Sequence, residues 1–274
     1  MSSSAPASLP RLVVALEAHS FGDLAIEVAR EIAVSPALVL LGLFIEDASL
    51  LKHASAPLAR EIALSGRTRP LEARRLERAL RAQALLARSA FEEAATRVGL
   101  RHAFQIARGA FIDELIRAAA DAEGLIVALG RRDRAPPAGL AALARSRLRA
   151  LFFARDAEQD GGPILVVHVG GAPSEPLRIA ASLAQRVRWP LRVLHAAGPR
   201  DEEAMRAQAA TLRGSGIRLE LLPPAAELTP ETISRYARDA SLAIMLSRGA
   251  PHDEPLIEHL LAKTHAALLL IRAE

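Results

Sequence analysis

LVVALEAHSFGDLAIEVAREIAVSPALVLL, residues 12–41, opens on an apolar run, turns through polar and glycine residues, and closes on a second apolar run. LVVHVGGAPSEPLRIAASLAQRVRWPLRVL, residues 165–194, repeats that plan without a gap at an offset of 153 residues (165 minus 12). Continuous apolar runs of this length suit strands buried on both faces of a sheet. Between them, Leu24, Val28 and Ile32 in the first copy, and Leu177, Leu183 and Val187 in the second, follow a helical pattern. Each stretch therefore reads as a strand–helix–strand unit, and the chain holds it twice.

A second pair of segments aligns at a different offset. Residues 115–155 lie over residues 232–272, 117 apart (232 minus 115). Within it LIVALGR, 125–131, matches LAIMLSR, 242–248, and ALFFAR, 150–155, matches ALLLIR, 267–272. This match assigns a closing strand to 150–154. The charged, glycine-bearing RDAEQDGGP, 155–163, then reads as a linker. The two offsets differ by 36 (153 minus 117), so the first copy carries an insertion of about that size, set within Asp47–Gly99. Pro57 and the GRTRP run at Gly66–Pro70 divide it into a short helix, a loop and a long helix. Leu76, Leu80, Ala84, Ala87, Phe91, Ala94 and Val98 make one apolar stripe on the long helix, with Arg74, Arg78, Arg81 and Arg88 largely off it.

Strands are expected near 11–17, 37–45, 101–107, 125–130 and 150–154, and again near 164–169, 191–196, 217–222, 242–247 and 266–271. Strands that alternate with helices require a parallel sheet covered on both faces, with right-handed crossovers. The expected fold class is α/β: two flavodoxin-like domains, each a five-stranded parallel sheet with helices on both faces. Residues 1–10 read as a disordered tail and 11–154 as the first domain, with its insertion at about 47–99; 155–163 is the linker and 164–274 the second domain. The short, apolar, uncharged strands at 150–154 and 266–271 invite edge pairing of the two domains.

Composition narrows the function classes. Hydrophobic residues make up 51% and aromatics only 3%, so the cores must be aliphatic. With no cysteine, disulfides, thiolate metal sites and cysteine nucleophiles are excluded. No apolar run approaches the roughly 18–20 residues of a membrane span. MSSSAPASLP lacks the basic-then-apolar order of a secretory signal, so a cytoplasmic, membrane-free protein is expected. The net charge of +4 comes from 35 basic and 31 acidic residues, and only Lys52 and Lys263 are lysines. The surplus lies in the first half, with 22 basic against 18 acidic residues through Glu158 and 13 of each beyond it. The arginine-rich helix has no interleaved aromatics, so a nucleic-acid partner is not expected.

These residues resemble the universal stress protein family. LVVALE, ending at Glu17, stands where that family has an apolar strand ending in aspartate, and VLHAA, 193–197, is similar to its second-strand ending. RGAFIDELIRAAADAEGLIVALGRR, 108–132, resembles its glycine, amphipathic helix and strand running into glycine. The order of five strands, twice over, is similar across nearly the whole chain. The resemblance implies a tandem member in which strands 150–154 and 266–271 pair across a two-fold axis.

ATP-binding members of the family carry a glycine-spaced loop ending in Ser or Thr after the fourth strand, whose N–H groups hold phosphate. Here Gly130 matches the first glycine, but Asp133 stands at the second, and Leu143 and Ala144 at the last two positions. Pro136 and Pro137 lack N–H donors. Gly139 can stand in for the distal glycine, followed by Leu140 instead of a hydroxyl. The second copy reads RGAPHDEP after Ser247, with no glycine series, and has Gly170 where the first has Glu17. The resemblance thus leaves Glu17, Leu43, Gly130, Arg131, Arg132 and Gly139 as vestigial nucleotide-contacting positions.

Other clusters read as structural. His168 and His195 lie on adjacent strands with no third metal ligand, and His259 has no reason to join them. His19, Ser20 and Asp23 are neighbours in sequence, which does not make a triad. Glu46 and Asp47 end a strand and serve as a helix cap. No catalytic residue, metal or cofactor is expected. AHSFGD, 18–23, does not supply the loop of an adenylyl-transferring enzyme. The expected function is a non-catalytic regulatory or interaction module of the stress-protein type, with a protein partner held by the insertion at 48–98 and a homodimer possible. The alternative is a nucleotide-binding stress sensor, with weak ATP or AMP binding or slow ATPase activity in the first domain.

Overall fold

Each apolar run becomes a strand whose alternate side chains feed two apolar layers, one on either side of a single sheet. The computed structural model describes residues 10–16, 23–33, 35, 37–48, 52, 60–62, 68–70, 73–129, 136–155, 162–168, 175–196 and 199–272. The first half runs β1 (Arg11–Leu16), α1 (Asp23–Ile32), β2 (Val39–Asp47), β3 (Arg60–Ile62), β4 (Thr68–Pro70), α2 (Ala73–Arg97), β5 (His102–Gly109), α3 (Phe111–Ala119), β6 (Gly124–Leu129), a 3-10 helix (Leu140–Arg145) and β7 (Ala150–Arg155). The second runs β8 (Ile164–His168), α4 (Glu175–Val187), β9 (Leu191–His195), α5 (Pro199–Gly214), β10 (Leu219–Leu221), α6 (Pro230–Ala237), β11 (Leu242–Ser247), α7 (Ala250–Lys263) and β12 (Ala267–Arg272).

Ten strands form one sheet in the order β10-β9-β8-β11-β12-β7-β6-β1-β2-β5. All neighbours are parallel except β12 and β7, which run antiparallel with Leu268 opposite Phe153 and Leu270 opposite Leu151. The architecture is therefore α/β with a parallel-dominated sheet. β7 and β12, the strands expected to meet edge to edge, satisfy each other's backbone groups, so the five strands expected of each half lie in one ten-stranded sheet. Leu12, Val14, Phe44, Phe91, Phe152 and Leu177 belong to one buried layer; Val13, Ala15, Leu115, Phe153 and Leu260 belong to the other. Helices thus cover both faces, as a parallel sheet requires.

Ion pairs join the halves on both faces. Glu31 accepts from Arg186 at 3.1 Å and from Ser182 at 2.8 Å, and Glu27 accepts from Arg186 at 3.1 Å. On the other face Arg145 donates Nε to Glu254 at 2.6 Å.

Two expectations need correction. The loop expected at Gly66–Pro70 contributes β4, which pairs antiparallel with β3, Arg60 opposite Pro70; a terminal proline costs such a ribbon nothing in donors. The first half closes through the 3-10 helix instead of an α-helix. Pro136 and Pro137 cannot donate, and Gly139 turns the chain at φ 87°, so only a short helical segment remains before β7. The short helix expected after Asp47 lies largely outside the described residues. No helix among the described residues is long and apolar enough to cross a membrane.

Candidate functional site

In an open α/β sheet, ligands bind beyond the strand C-termini where the strand order reverses. That point falls between β8 and β11 in the second half and between β1 and β6 in the first.

In the second half, β11 ends at Ser247 and the chain enters α7 through Gly249, whose φ of 93° is a left-handed value that glycine adopts without strain. The first turn of α7 brings Asp253 back over this corner. Its carboxylate is 2% exposed and accepts three bonds. The Ser247 hydroxyl donates to Oδ2 at 2.6 Å, the Arg248 N–H to Oδ1 at 3.0 Å, and the Gly249 N–H to Oδ2 at 3.0 Å. A helix N-terminus favours negative charge, and the chain supplies that charge itself. A phosphate at this corner would meet donors already satisfied and a carboxylate of its own sign.

Two histidines flank the corner. His168 and His195 are paired across β8 and β9, 2% and 1% exposed, and His195 Nδ1 lies 3.1 Å from the Ala196 carbonyl. His259 instead contacts Ser234 on α6, Nε2 to Oγ 3.3 Å. No cluster of three metal-ligating side chains exists among the described residues.

In the first half, Glu17, Gly130, Arg131, Arg132 and Asp133 lie outside the described residues, as do His19 and Ser20. Leu43 is 3% exposed and shares its apolar layer with Val13, Ala15, Leu115 and Leu129. Gly139 precedes the 3-10 helix, and a Cβ added there would lie 3.8 Å from Ile112. Two buried acids lie on neighbouring described elements, Glu46 in β2 and Glu114 in α3. Glu46, 6% exposed, lies in β2 and accepts from Arg108 of β5, Nε at 3.0 Å and Nη2 at 2.7 Å; the helix that it and Asp47 were expected to cap lies largely outside the described residues. Glu114 on α3 pairs with Arg117 at 2.6 Å and packs against Gly109, where a Cβ would sit 2.2 Å from its Oε1. A side chain at 109 would displace that carboxylate.

Asp253, Glu114 and the Glu46–Arg108 pair were missed by sequence reasoning. Asp253 carried a usable signal: an acid in the first turn of a helix that follows a strand-end Ser-Arg-Gly, the pattern of a side chain reaching back to cap backbone N–H groups.

No family model matches the sequence, and no curated protein matches it. Solved structures do. A universal stress protein from Archaeoglobus fulgidus is 12% identical with a TM-score of 0.54, the match covering 96% of each chain. A putative universal stress protein from Pseudomonas aeruginosa is 17% identical with a TM-score of 0.56, covering 97% of this chain and 94% of that one. A protein of unknown function from Pseudomonas aeruginosa is 17% identical with a TM-score of 0.53, covering 97% and 93%. The chain is universal-stress-protein-like: it carries that fold over nearly its whole length.

Proposed function

We propose that the chain is a non-catalytic regulatory and interaction module of the stress-protein type, built as two five-stranded domains (11–154 and 164–274) and acting through a protein or small-ligand partner in the cytoplasm. The observation that carries this reading is the Asp253 carboxylate seated on the Ser247 hydroxyl and the Arg248 and Gly249 N–H groups. Charge-assisted bonds of this kind contribute about 1.5–3 kcal/mol each, so a phosphate gains nothing unless Asp253 leaves. In the first domain, Pro136 and Pro137 remove two donors from the corresponding segment. The insertion supplies the partner surface: β3 and β4 have no counterpart in the second half, and α2, at 25 residues, is longer than its counterpart α5, at 16.

The second reading, weak nucleotide binding by the first domain, rests on Arg131 and Arg132, which follow β6 at the switch point. Titration calorimetry with Mg-ATP separates the two. The expected result is no measurable binding by the intact chain. A dissociation constant at or below roughly 10 μM would overturn the reading and put the sensor first.

A further inference from the structure

The two outer edges of the sheet are treated differently. β10 is three residues long, and the Arg213 guanidinium of α5 covers the Leu219 carbonyl at 3.1 Å. β5 is eight residues long, and no described strand pairs with its outer side. Long open edges are ordinarily shortened, charged or covered, because their free backbone groups template another strand.

The pairing with β2 defines which groups are free. Leu40 N–H donates to the Arg101 carbonyl at 2.8 Å, with Leu40 opposite His102. In a parallel ladder, residues 101, 103, 105 and 107 then bond inward, and His102, Phe104, Ile106 and Arg108 aim N–H and C=O groups outward. Their side chains share the face that α2 covers, since Phe91 of α2 meets both His102 and Phe104 at 6.2 Å between ring centroids.

The neighbouring helix extends this edge. Arg88 lies 6.0 Å from the Phe104 ring centroid. Leu85 and Arg81 occupy the same helical row as Arg88, one and two turns earlier. Because α2 runs down as β5 runs up, this row passes Ile106 and then Arg108. Leu85 is 67% exposed, Leu86 64% and Ile106 53%. Arg74, Arg78, Arg81 and Arg101 are exposed and have no ion pair among the described residues. A strip of apolar side chains, with backbone and arginines that have no partner among the described residues, thus runs along one edge.

We infer that β5 and the exposed row of α2 dock an extended acidic segment of a partner protein by strand addition. Backbone bonds to residues 102–108 give affinity, and alternate side chains meet Ile106 and Leu85 or the arginines. A second copy of this chain is disfavoured as occupant: antiparallel pairing of β5 with itself about Gln105 places His102 opposite Arg108 and sets the arginine rows together. The inference rests on the proposed function only in taking the insertion as a partner surface; the Mg-ATP titration judges that reading separately.

The probe is a short, end-capped, fluorescein-labelled peptide of alternating Val and Glu, followed by anisotropy on the intact chain. Saturable binding is expected, weakened about tenfold by Arg81→Glu and by Ile106→Pro, which removes an outward N–H and leaves the β2 ladder intact. Peptide N-methylated at the residues that face the edge should not bind, and peptide methylated at the alternate residues should. Absence of wild-type binding overturns the inference, as does binding indifferent to Arg81→Glu and to N-methylation in either register. Wild-type dimerisation in sedimentation that Ile106→Pro abolishes also overturns it, in favour of a second copy.

Discussion

The first and second halves build the same strand order, yet they differ at the outer edge and at the switch point. The second half ends in a three-residue edge strand and fills its fourth-strand corner with the Asp253 carboxylate. The first half ends in an eight-residue edge strand and carries the 25-residue α2 over it, where the second half has the 16-residue α5. Five strands and their helices suffice to close a half of the sheet, as the second half demonstrates. What the first half adds beyond that is the β3–β4 ribbon and the greater length of α2, a helix that leaves Leu85 and Leu86 exposed.

The comparison breaks most severely if the halves are separated. Phe152 is fully buried opposite Leu269 in the antiparallel seam. Phe152→Asp places an unpaired charge there, a change worth more than about 4–5 kcal/mol against a total stability of about 5–15 kcal/mol. Insoluble or unfolded protein is expected; wild-type melting and hydrodynamic radius would show that the seam does not hold the halves together.

A second test loosens the first half alone. Phe91 is fully buried between α2 and β5. Phe91→Ala is expected to cost about 3–5 kcal/mol and to free α2 before the second half melts. Hydrogen exchange should show faster exchange in 73–109 than in 219–272. Equal acceleration in both would mean that the insertion is integral to the whole sheet.

Asp253→Ala should cost less, about 1–3 kcal/mol, because water can take up the exposed donors. Added inorganic phosphate should raise the melting temperature of this variant more than that of the wild type. Equal shifts would indicate that the corner does not discriminate anions.

The smallest effect belongs to the rim. The hydrogen bond from Arg145 holds the Glu254 carboxyl below its ordinary value of 4.5. A carboxyl depressed in the folded state adds stability that is present above its unfolded value and lost as the pH falls through the folded one. Arg145→Ala should therefore lower melting slightly at neutral pH, and the difference should shrink as the pH falls below 4.5 and vanish below the depressed folded-state value. A difference that persists in acid would assign the effect to packing instead.

Much of this fold was legible in the sequence because its strands are buried on both faces and therefore read as unbroken aliphatic runs. The two repeat offsets located the insertion by subtraction, and ALFFAR gained its strand assignment only from its match with ALLLIR. The ribbon of β3 and β4 was not legible, since three-residue strands bounded by proline carry no periodicity. The Glu46–Arg108 pair was not legible because the partners lie 62 residues apart, on strands that pair only in the folded chain. Of the nucleotide positions chosen by resemblance only Leu43 and Gly139 are among the described residues, and Asp253 was missed because its role depends on a helix turn folding back over a strand end.

The account turns on whether that corner is already occupied by the chain's own carboxylate. Backbone amide spectra of isotopically labelled protein, recorded during titration with Mg-ATP, address this directly at Arg248 and Gly249. The predicted result is resonances that do not move with nucleotide in the wild type, and that shift when Asp253 is replaced by Ala. A saturable wild-type shift of Arg248 and Gly249 at micromolar ATP would contradict the account.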